Sequence, residues 1–381
     1  MGRLASSGTS AVGRLAPGIL RAAGLGSRCP VASVTRLAGG SKKGVYRLGC
    51  SGGFSAVLYV WSAAEDFWPA DAGGDGGAGG ADAGVFGHAS GLGLFAAASQ
   101  RLAQAGVRVP LVYLTDASRA LYPADIALVE DVRGGTLEEL LAADPSAAAP
   151  VMERLGEMLR SMWGQRSARV GRVADVPEVG DGETGVPGVA GVTGVTWAPG
   201  ALGASSELIV LERALRQLAG AADRVPSVAS VRPRLDETLR ALAASVRPRA
   251  SYGLIHGELG PDHVSIDDRG QPVVVDIEGA MYFDVEWEHA FLRLRFGRDY
   301  EWLRVSGLDE RRMSLYALAL DLSLIEGPLR LLDGDYPDRE EMLAIAGWAV
   351  DRVLRTANAD RSALSRVIRV TTDTGGICRR G

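Results

Sequence analysis

Lysine is nearly absent from this chain: Lys42 and Lys43 are the only two among 41 basic residues, so every side-chain ammonium sits in one short turn. Acid is missing from the first 64 residues, although Arg3, Arg14, Arg21, Arg28, Arg36, Lys42, Lys43 and Arg47 all precede the first carboxylate, Glu65. The net charge of −5 therefore combines a basic opening segment with an acidic remainder. That split excludes the uniformly basic surface of a nucleic-acid binder and points to a local anion site near the N-terminus. Cysteine is sparse, at positions 29, 50 and 378, without metal-ligand spacing. The odd count suits a reducing compartment and makes the three expected bystanders. No apolar run approaches the roughly 18 residues of a membrane span, and residues 1–30 hold no signal-peptide h-region. A cytoplasmic protein with no membrane or nucleic-acid partner is expected, and the excess of Arg, Ala and Gly is that of a high-GC bacterial genome.

What is present is a globular composition, 47% hydrophobic and 23% charged over 381 residues. At roughly 100 to 200 residues per domain this allows two lobes. Residues 10–24 read as a short helix interrupted at Pro17 and stopped by Gly24 and Gly26. VASVTRLA (31–38), VYRL (45–48) and FSAVLYVW (54–61) read as strands separated by the turns GGSKKG and SGG. Residues 62–84 contain AGGDGGAGGADAG, which can bury nothing and reads as a loop. A helix over 94–106 and strands over 109–115 and 126–132 complete a small lobe of five strands and one helix. From Gly134 the period is helical, over 136–142, 151–163, 205–222, 234–246, 286–295, 309–332 and 338–356. The Gly, Val and Pro-rich segment 164–203 reads as an insertion or lid. The expected fold is α+β and bilobal, with a sheet-rich lobe over 1–133 and a helical lobe over 134–381.

One stretch of the helical half breaks the period. LIHGELGPDHVSID and QPVVVDIEGA flank the turn DDRG, which would pair them and bring HGELGPDH (256–263) to DIEG (276–279). Glu258, His263, Asp276 and Glu278 would then converge. Oxygen ligands beside a nitrogen and a free base suit a divalent cation holding phosphate oxygens, with Glu258 receiving a hydroxyl proton. The bland alternative is a structural hairpin with a solvated acidic rim.

These residues resemble the catalytic segment of the aminoglycoside phosphotransferase and choline kinase group, which has a protein kinase-like fold. In that group a loop of the form HGDxxxxN precedes a strand ending in Asp. The likeness covers Val31 to about Leu354, with a degenerate active-site motif. It implies Glu258 at the catalytic Asp position, His263 at that of the metal-binding Asn, and Asp276 at that of the main metal-binding Asp, assisted by Glu278. Asp284 and Glu288 in FDVEWEHA resemble acids that brace the loop from below. Glu130 to Gly134 resemble the hinge, so that backbone groups of Glu130 and Val132 would meet adenine. The lobe over 1–133 would bind nucleotide, and that over 134–381 would hold the catalytic loop and substrate cleft.

One departure concerns the third strand, where the group carries a Lys that pairs with a Glu on the following helix and holds phosphates. Here AVLYV puts Tyr59 at that position, and the helix over 94–106 has no acid. Either the kinase is degenerate, or the charge has moved to Lys42 and Lys43, with the amides of Gly39, Gly40 and Ser41 completing a phosphate cradle. The expected activity is transfer of the γ-phosphoryl of ATP or GTP, with Mg²⁺, to a hydroxyl of an aminoglycoside-like or other natural-product metabolite, in antibiotic resistance or biosynthesis. The acidic helical lobe suits a cationic or polyhydroxylated acceptor. The alternatives are a pseudokinase-like protein that binds a metabolite without phosphoryl transfer, and an interaction scaffold.

Overall fold

The computed structural model describes residues 2–26, 30–37, 40–68, 85–176 and 205–359, with backbone only over 2–7. Five strands, β1 (Val31–Arg36), β2 (Gly44–Cys50), β3 (Ser55–Trp61), β4 (Val112–Asp116) and β5 (Asp125–Glu130), form an antiparallel sheet in the order β1-β2-β3-β5-β4. Every residue of β3 is buried, as its unbroken apolar run requires of a strand covered on both faces. On one face lies α1 (Gly2–Ala22), whose Val12, Ala16, Ile19 and Leu20 form a helical stripe against Tyr46, Leu48, Leu58, Ile126 and Leu128. The helix begins well before residue 10 and runs through Pro17, because this stripe holds both sides of the proline to the sheet. On the other face α2 (Leu92–Gln104) sets Phe95 edge-on to Tyr59, with ring centroids 5.4 Å apart. Cys50 closes β2 in a disulfide. It is no bystander, and the compartment argument drawn from cysteine usage loses its basis.

The helical lobe contains α3 (Leu137–Ala143), α4 (Pro145–Gly164), α5 (Ser206–Arg224), α6 (Pro226–Ser245), α7 (Val285–Phe296), α8 (Glu310–Leu331) and α9 (Arg339–Asn358). Helix α4 starts six residues before its apolar period, since Asp144 accepts from the amides of Ser146 and Ala147 and Pro145 occupies the first helical position. Pro226 opens α6 early in the same way.

Two small sheets carry the polar segment between these helices. The DDRG turn joins β9 (Val264–Ile266) to β10 (Pro272–Val274), paired Val264 to Val274 as the sequence implies. The strand before the loop, β8 (Tyr252–Ile255), pairs elsewhere, with β11 (Met281–Phe283). With β6 (Arg166–Ser167) and β7 (Gly171–Arg172) these make a sheet in the order β6-β8-β11-β7. The beginning of the presumed 164–203 insertion is thus part of a sheet; 177–204, like 69–84 of the first loop, lie outside the described residues. Residues 256–263 therefore hang between two sheets, fixed at both ends. The small lobe meets them through Gly134, whose amide donates to the Ile266 oxygen at 2.8 Å. A Cβ there would lie 2.3 Å from the same oxygen. Among the described residues no helix is long and apolar enough to cross a membrane.

Candidate active site

The loop that follows β8 is shaped from beneath. Gly257 has φ +100°, a backbone conformation that favours glycine, and a Cβ there would have to displace the flexible end of Met281, whose Cε would lie at 2.7 Å. Its amide and that of His256 donate to the Glu288 carboxylate at 2.8 and 3.3 Å, while Trp287 Nε1 donates to the Gly257 carbonyl at 2.9 Å. Burial pushes the Glu288 carboxyl up to about 7, against the pull of the two amides. Helix α7 is itself anchored: Asp284 accepts from Arg312, Tyr316 and Ser206, all buried, and Arg249 clasps Glu286 at 2.5 and 2.6 Å. The buried His256 donates Nε2 to Val275 O at 3.0 Å, and burial lowers its pKa.

Above this brace the polar side chains converge. His263 Nδ1 lies 3.1 Å from the Glu258 carbonyl, which can only accept, so this nitrogen carries the proton. Nε2 faces Asp262 at 3.6 Å and Asp276 Oδ2 at 3.9 Å. Asp276 has φ 57° and ψ 47°, a left-handed conformation that Asp tolerates better than most residues and that ends β10 abruptly. Lys43 Nζ donates to Asp276 Oδ1 at 2.7 Å and Glu278 Oε1 at 2.6 Å, and stands 5.2 Å from the Tyr59 ring centre. Burial opposes this ammonium, but Glu278 and then Asp276 raise its pKa well above the usual lysine value. Burial likewise opposes the Asp276 charge; Lys43 and then His263 hold that carboxyl far below the usual range. Tyr59 is pushed up to about 12 by burial. Lys42 Nζ lies 3.9 Å from Glu258 Oε1, on a carboxylate that is partly exposed.

The structure thus brings Glu258, His263, Asp276, Glu278, Lys42 and Lys43 together. Lys43 immediately precedes β2, whose Val45 pairs with Tyr59, so the ammonium enters from the strand beside the one expected. Glu278, expected as a metal ligand, is buried against Lys43, and α2 carries no acid. No sequence signal joins residues 235 apart. Gly39 lies outside the described residues; Gly40 has φ +82°. Ser41 gives its carbonyl to the Phe67 amide at 2.8 Å and its Oγ to Trp68 Nε1 at 2.9 Å, tying the turn to that segment. Glu130 spends its carboxylate on Arg108 at 2.6 and 2.7 Å, and Val132 follows the end of β5. Among the described residues no group of three His, Cys, Asp or Glu side chains forms a metal cage.

Beside the cluster opens a cavity of about 1030 Å³ with Lys42, Glu258 and His263 on its wall. Trp68 and residues of α5, α7 and α8 complete it, and Arg172, Arg213, Arg216, Arg295 and Arg330 line it.

The sequence pattern of the phosphotransferase enzyme family matches residues 86–305, over half of the chain. The chain belongs to that family. No curated protein matches it by sequence. Its fold is similar to a thermostable mutant of aminoglycoside phosphotransferase APH(4)-Ia, covering 90% of this chain and 99% of that one at 14% identity and a TM-score of 0.54. Spectinomycin phosphotransferase APH(9)-Ia, in complex with ADP and spectinomycin, is similar over 86% of this chain and 94% of its own, at 12% identity and a TM-score of 0.52. These likenesses give the phosphotransferase its kinase-like fold. The family match begins after β3, so Lys43 and Tyr59 lie outside the matched residues.

Proposed function

We propose that this phosphotransferase moves the γ-phosphoryl of ATP or GTP to a hydroxyl of a small molecule bound in the adjoining cavity. The observation that carries the reading is the buried Lys43 ammonium between Asp276 and Glu278. It supports relocation of the phosphate-binding cation over its loss, because a lysine and its acid partner are both present, each from a new place in the chain. Nucleotide in the structures of similar phosphotransferases, including an APH(4)-Ia complex with ADP and hygromycin B, supports a nucleotide cosubstrate. The joint between lobes, at residues 133 and 134, would put the Glu130 to Val132 backbone against the base.

The residues suit Mg²⁺, which takes one or two carboxylates and completes its shell with phosphate oxygens and water. Asp276, through the oxygen turned from Lys43, and His263 Nε2 would hold it, and the bound ion would neutralise charge on the phosphates. Glu258 accepts the acceptor's hydroxyl proton; the freed oxygen forms its bond to the γ-phosphorus as the bond to the β–γ bridging oxygen breaks. Lys42, next to Glu258, faces the group in transit, and Lys43 holds the nucleotide phosphates.

The test is a thermal-shift panel of ATP, GTP and ADP with and without Mg²⁺. Nucleotide at a hundredfold excess over Kd should stabilise the protein by about 2.7 kcal/mol, and Asp276→Asn should abolish the Mg²⁺-dependent part. A flat panel would favour the second reading, metabolite binding without transfer.

A further inference from the structure

The segment that leaves β3 touches both lobes. Asp66 accepts from the Trp68 amide at 3.1 Å through one carboxylate oxygen and meets His88 Nε2 at 2.6 Å through the other, a local turn of the kind Asp makes with the residue two places on. On the helical side, Phe67 stands edge-on to Tyr336 with ring centroids 5.6 Å apart. The Trp68 ring lies beside Gly327 of α8, where an added Cβ would come within 3.6 Å of its Cη2. Arg330, on the same face of α8 one turn later, sets its guanidinium 5.4 Å from the centre of that ring. Asp66, Trp68, Gly327 and Arg330 are all on the cavity wall.

The same two aromatic residues hold the lysine turn. The Phe67 amide donates to the Ser41 carbonyl at 2.8 Å, and Trp68 Nε1 donates to Ser41 Oγ at 2.9 Å. Ser90 Oγ adds a bond to the Lys42 carbonyl at 3.0 Å. Gly40, with φ +82°, gives this stretch of backbone many conformations to lose, so bonds to the next two residues decide where it rests. The two lysines depend on them unequally. Lys43 is also locked by Asp276 and Glu278 at 2.7 and 2.6 Å, whereas Lys42 Nζ stands 3.9 Å from a partly exposed Glu258. The placement of Lys42 therefore rests chiefly on the backbone of the turn.

We propose that Trp68 is a positioning residue for phosphoryl transfer: from the wall of the cavity it holds Ser41, and so sets where Lys42 meets the nucleotide phosphates. An indole laid against α8 suits this task, because it has only two side-chain torsions to fix and its single N–H donates in one direction. One side chain thereby brings the cavity and the phosphate turn into register. The contact of Lys42 with phosphate rests on the phosphotransferase reading.

The experiment uses the full chain with Mg²⁺ and compares the wild type, Trp68→Phe, Ser41→Ala and the double variant, by calorimetry with ATP and GTP and by thermal shift with adenosine and guanosine. Trp68→Phe keeps an aromatic ring against α8 and deletes the N–H. It should weaken triphosphate binding about three- to tenfold and leave nucleoside binding as it was. Ser41→Ala should do the same, and it keeps the test open if Trp68→Phe does not fold. The double variant should lose no more than either single one, because both remove the same bond. The change in tryptophan emission on adding ATP should be larger in the wild type than in Trp68→Phe, a signature that a merely structural ring would not give. Unchanged triphosphate binding in the single variants, equal weakening of triphosphate and nucleoside, losses that add in the double variant, or an emission response no larger in the wild type than in Trp68→Phe each overturns the proposal. A wild type that binds no nucleotide overturns the phosphotransferase reading as well; wild-type binding that the variants leave unchanged overturns this inference alone.

Discussion

Replacing Lys43 with Met keeps the reach and apolar stem of the side chain and deletes one charge. Glu278, only 5% exposed at its side chain, then loses the ammonium 2.6 Å away, and Asp276 Oδ1 loses its donor at 2.7 Å. Removing one partner of a buried pair costs about 3–5 kcal/mol, and loss of the cation over the Tyr59 ring adds about 0.5–1 kcal/mol. Asp276 is partly open to water, which returns some of this, so about 3 kcal/mol at neutral pH is the working figure. Urea denaturation of the wild type, Lys43→Met, Glu278→Gln and the double variant closes a cycle in which the two sites should couple by about 2 kcal/mol. Asp276 is depressed in the fold, so its contribution is present above the unfolded-state value near 4 and lost as pH falls through the lower folded value. Lys43 is raised, so its contribution is complete below the unfolded-state value near 10.4 and lost as pH rises through the folded value. A Lys43→Met loss under about 1 kcal/mol, or a cycle without coupling, would refute the buried ion pair.

Tyr59→Lys restores the residue usual on the third strand but buries a second ammonium beside Lys43 and removes the edge contact to Phe95. A loss of about 2–4 kcal/mol in chemical denaturation is expected, and a variant that binds ATP more tightly would contradict the relocation. Glu258→Gln should leave nucleotide binding intact and lower turnover about 10²- to 10⁴-fold; equal loss of binding in calorimetry would make Glu258 a ligand. Glu288 rises from 4.5 to about 7 on folding, so its contribution is whole below pH 4.5 and declines as pH rises toward 7. Glu288→Gln should flatten stability between those values and lower kcat through the loosened loop; an unchanged pH profile of the melting temperature would count against the assignment. Gly257→Ala should lower turnover sharply, since the φ of +100° at this position is one that L side chains rarely adopt, and near-normal kcat would show that the loop has another conformation.

Local information was enough for much of this molecule. The unbroken run in β3 announces a strand covered on both faces, three- and four-residue spacings announce α5, α8 and α9, and HGELGPDH with DIEG marks the polar segment. Periodicity reports which face of an element is buried and nothing about what lies against it. The insertion of β5 between β3 and β4, the pairing of β8 with β11 across the DDRG hairpin, and the course of α1 through Pro17 were therefore settled by packing. The same holds for the site. Composition isolates Lys42 and Lys43 as the only side-chain ammonium groups, yet Lys43 finds its acid partner in Glu278 because folding lays the turn that holds both lysines over the end of β10.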